Sequence, residues 1–317
     1  MTKSSGTILD GGRRPQGRGA GTEPRNAPTA PGSDETLSVL INGDATGGLS
    51  PLERGLHFGD GVFETIACLH GRPRLLALHL ERLGHGCRAL GFSPPAAQSL
   101  RAEIEHLAGA VDRAIVKLIV TRGPATVRGY AVSGRERATR VAIRYPWPVE
   151  DPVLQQQGVS VRVAAMRLGE NPALAGLKHC NRLEQILARG EPEAAAADEA
   201  LMLSRSGKLV SGTMTNVFLV DGPPGSPRLR TPAIDLCGVA GVMRRVVLRE
   251  ATRAGITATE CALGAADLAA AAEVFLTNAR IGIWPVGRLG ERTLIPGPVT
   301  RRLQSLLQPL LEEPADA

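Results

Sequence analysis

Long apolar runs are missing from this chain. Its 317 residues contain no stretch of about 18 apolar residues, so no membrane-spanning helix is expected. The first residues are polar and lack the apolar stretch a secretory signal needs. Cysteine is sparse: Cys68, Cys87, Cys180, Cys237 and Cys261 are odd in number, far apart and never form C-x-x-C. That spacing argues against a disulfide framework and a zinc site, and for reduced thiols in a cytoplasm. The six histidines also lack metal-ligand spacing, so no metal is expected. Aromatic residues are only 3%, and the net charge of +6 is spread along the chain. Neither feature indicates nucleic-acid binding, and a small anionic substrate suits a mildly basic chain equally well.

What is present organises the chain. Residues 1–37 are rich in Gly, Pro, Arg, Ser and Thr and hold almost no bulky apolar side chains. Such a segment cannot bury enough surface to offset its ordering entropy. It reads as a disordered tail, or as the product of a start codon set too far upstream. Folded sequence begins at "SVLINGD", a short strand ending in a turn. "GVFETIACLHG" and "RPRLLAL" read as a hairpin around His70 and Gly71. A helix follows in "LALHLERLGHGCRALGF", with Leu76, Leu80, Leu83 and Leu90 on roughly one face and Gly91 as its stop. The strand "AIVKLIVTRG" closes a small α/β domain over 38–122, and the Gly-rich basic stretch 123–139 reads as an interdomain loop. A larger domain over 140–311 opens on the strands "VAIRYPWP" and "VSVRVAAMRL" and continues with a helix over 177–190. Three strands with a turn at Ser206 and Gly207, a glycine turn feeding a helix, the strand pair in "EVFLTNARIGIWPVG" and a last helix near 297–311 complete it. Residues 312–317 form a C-terminal tail. The pattern is mixed α/β in two domains, without internal repeats.

One lysine stands out by its company. On a helix, "GLKHCNRLEQ" places Lys178, Asn181, Arg182 and Gln185 on one face, with Cys180, Leu183 and Leu187 on another. Most lysines sit in water, yet burial readily tunes this side chain for covalent work. Three other stretches point to an anion site. In "LCGVAGVMRR", Gly238 and Gly241 precede a helix, so the N–H groups of Val242 and Met243 and the positive end of the helix dipole face one place. Arg82 lies in "HLERL", and Thr277, Asn278 and Ala279 form a tight turn in "FLTNAR". A phosphate held by these groups beside a lysine is what pyridoxal 5'-phosphate requires.

The segments "LINGD", "RGLHFGDGVFET", "HLERL", "LKHCNRLEQ", "GTMTNVFLV", "GVAGVMRR" and "FLTNARIGIWPV" occur in one order, from about Val39 to about Leu311. In that order they resemble the fold-type IV pyridoxal-phosphate enzymes: branched-chain aminotransferases, D-amino-acid aminotransferases and 4-amino-4-deoxychorismate lyases. "LKHCNRLEQ" is similar to the lyase form, and the glycine-rich "GGNY" usual in branched-chain enzymes is absent. "KLIVTRGPATVRGY" also resembles the lyases. The resemblance implies a two-domain D-amino-acid aminotransferase-like fold, a homodimer, and Lys178 as the lysine that carries the cofactor. It implies Arg82 and the "GVAGVMR" turn as the phosphate site, and Arg128 and Asn278 as substrate-binding residues. Lys117 and Tyr130 lie in matching segments. The implied reaction converts 4-amino-4-deoxychorismate to 4-aminobenzoate and pyruvate. Its substrate carries two carboxylates, for which Lys117, Arg122 and Arg128 supply cations.

One position departs from the family. Most members place a glutamate against the pyridine nitrogen, immediately before the glycine of this stretch. Here "LVSGTMTNVF" puts Ser211 there, whose hydroxyl shares only a neutral hydrogen bond and makes the cofactor a weaker electron sink. Two rival readings stand beside the lyase: an aminotransferase on the same fold, and a basic nucleic-acid-binding or scaffold protein whose tail does the binding. Deleting residues 1–37 separates the last from both enzymes. An enzyme keeps its turnover in that truncation, whereas a tail-driven binder loses its partner in a pull-down.

Overall fold

The computed structural model describes residues 37–149, 151–223 and 225–312. The proposed tail over 1–37 lies outside them but for its last residue, as do residues 313–317 of the C-terminal tail.

The first unit contains β1 (Ser38–Ile41), α1 (Arg54–Phe58), β2 (Gly61–Leu69), β3 (Arg72–Pro73), α2 (Leu76–Ala89), α3 (Ala97–Ala108), β4 (Arg113–Thr121) and β5 (Thr139–Pro146). Its strands form an antiparallel sheet in the order β1-β5-β4-β2-β3. Alternation along the strands gives the sheet two unlike faces. Val62, Ile66 and Cys68 of β2 lie opposite Val120, Val116 and Ala114 of β4. Together with Leu76, Leu83 and Cys87 of α2 and Leu100, Ile104 and Leu107 of α3 they make one core. Phe63, Thr65, Lys117 and Ile119 share the other face and are only half-buried. The hairpin turn falls where expected, with His70 and Gly71 both at positive φ, 50° and 71°. Likewise α2 ends ahead of Gly91, whose φ is +77°.

β5 corrects the expected domain boundary. The sequence pattern assigns it to the large domain from residue 140, yet it pairs with both β4 and β1. The first unit therefore runs on to Pro146. Strand alternation marks a strand but not its partner, and only pairing across the 123–139 loop reveals which sheet it joins.

The second unit contains α4 (Pro152–Gln157), β6 (Val159–Leu168), α5 (Leu183–Arg189), β7 (Glu199–Ser204), β8 (Leu209–Gly212), β9 (Asn216–Asp221), β10 (Arg228–Pro232), α6 (Val242–Arg253), β11 (Thr257–Cys261), α7 (Ala265–Ala270), β12 (Glu273–Asn278), β13 (Gly282–Leu289), β14 (Arg292–Thr293) and α8 (Pro298–Glu312). Its sheet runs β11-β10-β9-β12-β13-β6-β7-β8, with β14 beside β13. The sheet curls, because Leu209 at one end donates its N–H to the carbonyl of Leu263 just beyond the other end, at 2.8 Å. Helices α6 and α8 cover Phe218, Val220, Leu229 and Phe275 with Val246, Val247, Leu303 and Leu307. Glu273 docks α8 by accepting from the N–H groups of Val299 and Thr300 and from the Thr300 hydroxyl, at 3.2, 2.8 and 2.6 Å.

The expected helix over 177–190 is a second correction. Only Leu183–Arg189 is helical. Residues 178–180 are extended: the Phe63 N–H donates to the carbonyl of Lys178, and the Cys180 N–H to that of Gly61, each at 2.9 Å. Tertiary hydrogen bonds to β2 override the helical pattern, so Lys178 does not share a helical face with Arg182 and Gln185.

Phe275 is fully buried and stacks on Phe218, ring centroids 4.9 Å apart and planes within 9°. Phe275→Ala is expected to destabilise the fold by about 3–5 kcal/mol. A lower denaturant midpoint at unchanged slope checks this.

Candidate active site

Lys178 sits on a strap tied at both ends. Upstream, the Gly176 N–H donates to the carbonyl of Gly238 and the Ala240 N–H to that of Gly176, both at 3.0 Å. Downstream come the two bonds to β2 already described. The strap thus joins the turn before α6 to the first strand of the small unit's centre. Gly176 has φ +82°, a conformation that lets the chain leave the turn and enter the ladder.

The Lys178 ammonium lies 4.2 Å from the centre of the Phe63 ring, and that of Lys117 lies 5.4 Å from the same ring. Burial pushes the Lys178 pKa down to about 7, aided by the positive charge of Arg82 and opposed by Glu64. A substantial share of this lysine is therefore the free amine at neutral pH.

Glu64 anchors the opposite side of β2. It is fully buried and accepts from His79 Nδ1 at 2.6 Å, Arg82 Nε at 2.8 Å and Arg82 Nη2 at 2.5 Å. Burial by itself would raise its pKa, but the Arg82 charge and the His79 hydrogen bond outweigh that and hold it near 2. His79, equally buried, has its own pKa lowered by desolvation against the pull of Glu64. The neutral imidazole then donates its Nδ1–H to the carboxylate. Arg82 Nη1 reaches across to the carbonyl of Ala240 at 3.0 Å, linking this cluster to the strap's other anchor.

That turn is shaped for an anion. Gly238 has φ +96°, and a side chain on Gly241 would lie 1.9 Å from Asn216 Oδ1. Asn216 braces the turn by donating Nδ2–H to the carbonyl of Val239 at 2.9 Å. Helix α6 starts at Val242 with Gly241 as its N-cap. The N–H groups of Val242 and Met243 are consequently not used within the helix and face outward from its positive end.

The remaining candidates sort unevenly. Thr277 is fully buried, its hydroxyl donates to the carbonyl of Gly282 at 2.5 Å, and it is paired with Asn216 of β9 on one side and Ile283 of β13 on the other. Asn278 closes its own turn, accepting from the N–H groups of Arg280 and Ile281 at 3.0 Å and donating to the carbonyl of Met214 at 3.3 Å. Ala279 lies in that turn and is half-buried. Ser211 is buried on β8, and its hydroxyl donates to the carbonyl of Gly212 at 2.9 Å. The nearby carboxylate of Glu199 lies on the same side of β7 as Leu201, opposite Met202, which pairs with Ser211. It is also bonded to the N–H groups of Thr213 and Met214, so it does not replace the missing glutamate. Arg122 is a third correction: it is buried, donates to Asp60 and to the carbonyls of Leu90 and Gly91, and is not a cation at a substrate mouth. Arg128 and Tyr130 lie on an exposed loop, with the Tyr130 ring 5.2 Å from that of Phe58.

Sequence reasoning missed Glu64, His79 and Asn216. Glu64 had a signal: a lone carboxylate in an otherwise apolar, alternating strand on the face that points to the core.

The depressed lysine fixes a stability trend. Between about pH 7 and 10.5 the unfolded chain holds a proton on Lys178 that the native chain does not. Stability of the cofactor-free protein therefore rises with pH across that window, by up to about 1.4 kcal/mol per pH unit from this group. Chemical denaturation of wild type and Lys178→Met at several pH values should show the rise in wild type and its loss in the variant.

The amino-transferase class IV family matches residues 61–289. An aminodeoxychorismate lyase of Vibrio harveyi is 32% identical over 80% of this chain and 94% of its own. A putative branched-chain-amino-acid aminotransferase of Methanocaldococcus jannaschii is 28% identical over 84% and 94%. Among solved structures, the 4-amino-4-deoxychorismate lyase of Pseudomonas aeruginosa superposes with a TM-score of 0.81 and 42% identity, covering 87% of this chain and all of the other. The chain belongs to the class IV aminotransferase family and is a pyridoxal 5'-phosphate enzyme of the fold-type IV class.

Proposed function

We propose that this protein is an aminodeoxychorismate lyase, converting 4-amino-4-deoxychorismate to 4-aminobenzoate and pyruvate on the route to folate. The observation that carries the reading is the placement of Lys178 over the Phe63 ring, on a strap tied to the glycine turn before α6 and to the small sheet. The 42% identity to the Pseudomonas aeruginosa lyase over its whole length supports the choice of reaction.

The residues fit the cofactor. Lys178 Nζ supplies the attachment point, and Arg82 retains N–H donors on Nη1 and Nη2 beyond those used by Glu64 and Ala240. With the N–H groups of Val242 and Met243 and the Thr277-Asn278-Ala279 backbone, these would hold its phosphate. Ser211 would meet the ring nitrogen only as a neutral partner. When bound, the cofactor serves as the electron sink for breaking bonds at the amine-bearing carbon.

Lys178 does the proton work. Its free amine takes the proton from the amine-bearing ring carbon, and the C–O bond on the neighbouring carbon breaks. The enolpyruvyl oxygen leaves, the three-carbon fragment takes up a proton as pyruvate, and the ring becomes aromatic. A pKa near 7 leaves Nζ able both to accept and to return a proton at neutral pH. Lys117 stands across the Phe63 ring as the cation for a substrate carboxylate, with Asn278, Arg128 and Tyr130 completing the substrate site. The reading includes a homodimer. The exposed apolar side chains of Leu183, Ile186 and Leu187 on α5, 71%, 63% and 59% accessible, support it. Among the described residues no helix is long and apolar enough to cross a membrane, and the five cysteines are free. Both support a cytoplasmic setting.

The second reading, an aminotransferase for branched-chain or D-amino acids, is favoured by the Methanocaldococcus relative. One experiment separates them. Purified enzyme supplied with 4-amino-4-deoxychorismate should release 4-aminobenzoate and pyruvate in equal amounts, and Lys178→Ala should lose this by at least about 100-fold. Amino-group transfer from alanine or branched-chain amino acids to a 2-oxoacid, without aromatic product, would sink the lyase and establish the transferase.

A further inference from the structure

The loop carrying Arg128 and Tyr130 has almost no apolar anchorage. Every residue from Thr126 to Arg135 is exposed, and Tyr130 is 85% accessible. Segments without buried apolar contacts open at little cost, so polar bonds must set this loop's shape. Two sets are present. Glu136 ties the loop to itself, accepting from the N–H groups of Ser133 and Gly134 at 2.8 and 3.0 Å. Arg54 ties it to the body of the protein.

Arg54 is an unusual surface tie because it is itself buried, at 4% accessibility. Its Nη1 donates to the carbonyls of Gly129 and Ala131 at 3.3 and 3.1 Å, and its Nη2 to that of Tyr130 at 3.1 Å. Three successive carbonyls therefore converge on one guanidinium. Gly129, at φ +83°, supplies the left-handed turn that breaks the alternation of carbonyl directions. The fourth donor, Nε, is held by Asp60 at 2.9 Å. Asp60 is shared with Arg122 at 2.8 Å, and Arg122 is fixed in turn to the carbonyls of Leu90 and Gly91. Stacking adds to the clasp: the Arg54 guanidinium lies 5.1 Å from the Phe58 ring, against which Tyr130 packs. Asp60 also precedes Gly61, whose carbonyl receives the Cys180 N–H of the lysine strap. Loop and strap are thus referenced to one short stretch of backbone.

We infer that Arg54, braced by Asp60, is a positioning residue for substrate recognition, fixing the 128–131 backbone so that Arg128 and Tyr130 are presented in one geometry. The inference rests on the proposed reading of this loop as the substrate loop. Arg54 acts through the loop and touches neither substrate nor cofactor. A lysine cannot replace it, because a point charge lacks the fork that engages three carbonyls and a carboxylate together.

The test uses the cofactor-loaded enzyme and Arg54→Lys, with Asp60→Asn as a second variant that leaves Arg54 in place and removes the counter-charge it shares with Arg122. Arg54→Lys is expected to raise KM for 4-amino-4-deoxychorismate about tenfold or more, with kcat within about twofold and cofactor affinity and absorption unchanged. Hydrogen exchange should quicken at the 127–132 amides and stay unchanged in β2, β4 and α6. Asp60→Asn should move the same quantities in the same direction by less. Faster loop exchange with an unchanged KM overturns the inference, as does a parallel loss of kcat, cofactor binding and protection throughout β2 and β4. If wild type turns over an amino acid instead of 4-amino-4-deoxychorismate, the lyase reading fails. The KM comparison is then made with that amino acid, and the exchange measurement stands independently.

Discussion

Everything at the site depends on the strap from Gly176 to Cys180. Two hydrogen bonds hold it to the turn at 238–240, and two more hold it to β2. A lysine on a free helix would keep its ammonium in water and its pKa near 10.5. Here the backbone leaves Lys178 no such freedom, since its neighbours on both sides are committed to ladders. The side chain is delivered over the Phe63 ring, between the charges of Arg82 and Lys117, and desolvation does the rest. The position of Lys178 is therefore a consequence of backbone pairing of the strap with β2 and with the turn before α6.

The price of concentrating so many cations is met by a single buried carboxylate. Glu64 neutralises Arg82, fixes the tautomer of His79 and partly offsets the field at Lys178. Removing a partner from such a cluster leaves a buried charge without compensation, which is far more damaging than the loss of a surface pair. The cluster also connects α2 to the strap's far anchor, because Arg82 spans from Glu64 to the Ala240 carbonyl. Electrostatics and geometry overlap here: Arg82, whose charge lowers the lysine's proton affinity, also bonds the Ala240 carbonyl in the turn before α6.

A contrast runs between the cores and the rim. Phe63, Lys178 and the turn before α6 rest on well-packed sheets, whereas residues 126–135 are exposed and held by Arg54 and Glu136. The lysine and the anion-binding turn are thus placed by hydrophobic packing and strand pairing. The loop is placed by a few charge-assisted hydrogen bonds. Such a division lets residues 126–135 change while the cores stay untouched.

Much of the fold was legible in the chain. Periodicity located α2, the hairpin at His70 and Gly71, the run of three strands around Ser206 and Gly207, and α8, because each follows a local rule of spacing or turn chemistry. Glycine placement likewise revealed the turn before α6. What local rules do not contain is partnership. The pattern of "GLKHCNRLEQ" is helical in isolation, and only hydrogen bonds to a strand more than a hundred residues earlier make its first half extended. Sheet membership of β5 was hidden for the same reason. Arg122 read as a cation for substrate, while the fold spends it on Asp60 and two carbonyls. Glu64 drew no reading from the sequence, because its partners His79 and Arg82 reach it only when α2 packs on β2. The sequence by itself determined which residue types this protein has for holding an anion and an amine, since side-chain chemistry is local. Tertiary structure alone decided which of them meet, because contact between distant residues is set by strand pairing and burial, and these are properties of the whole fold.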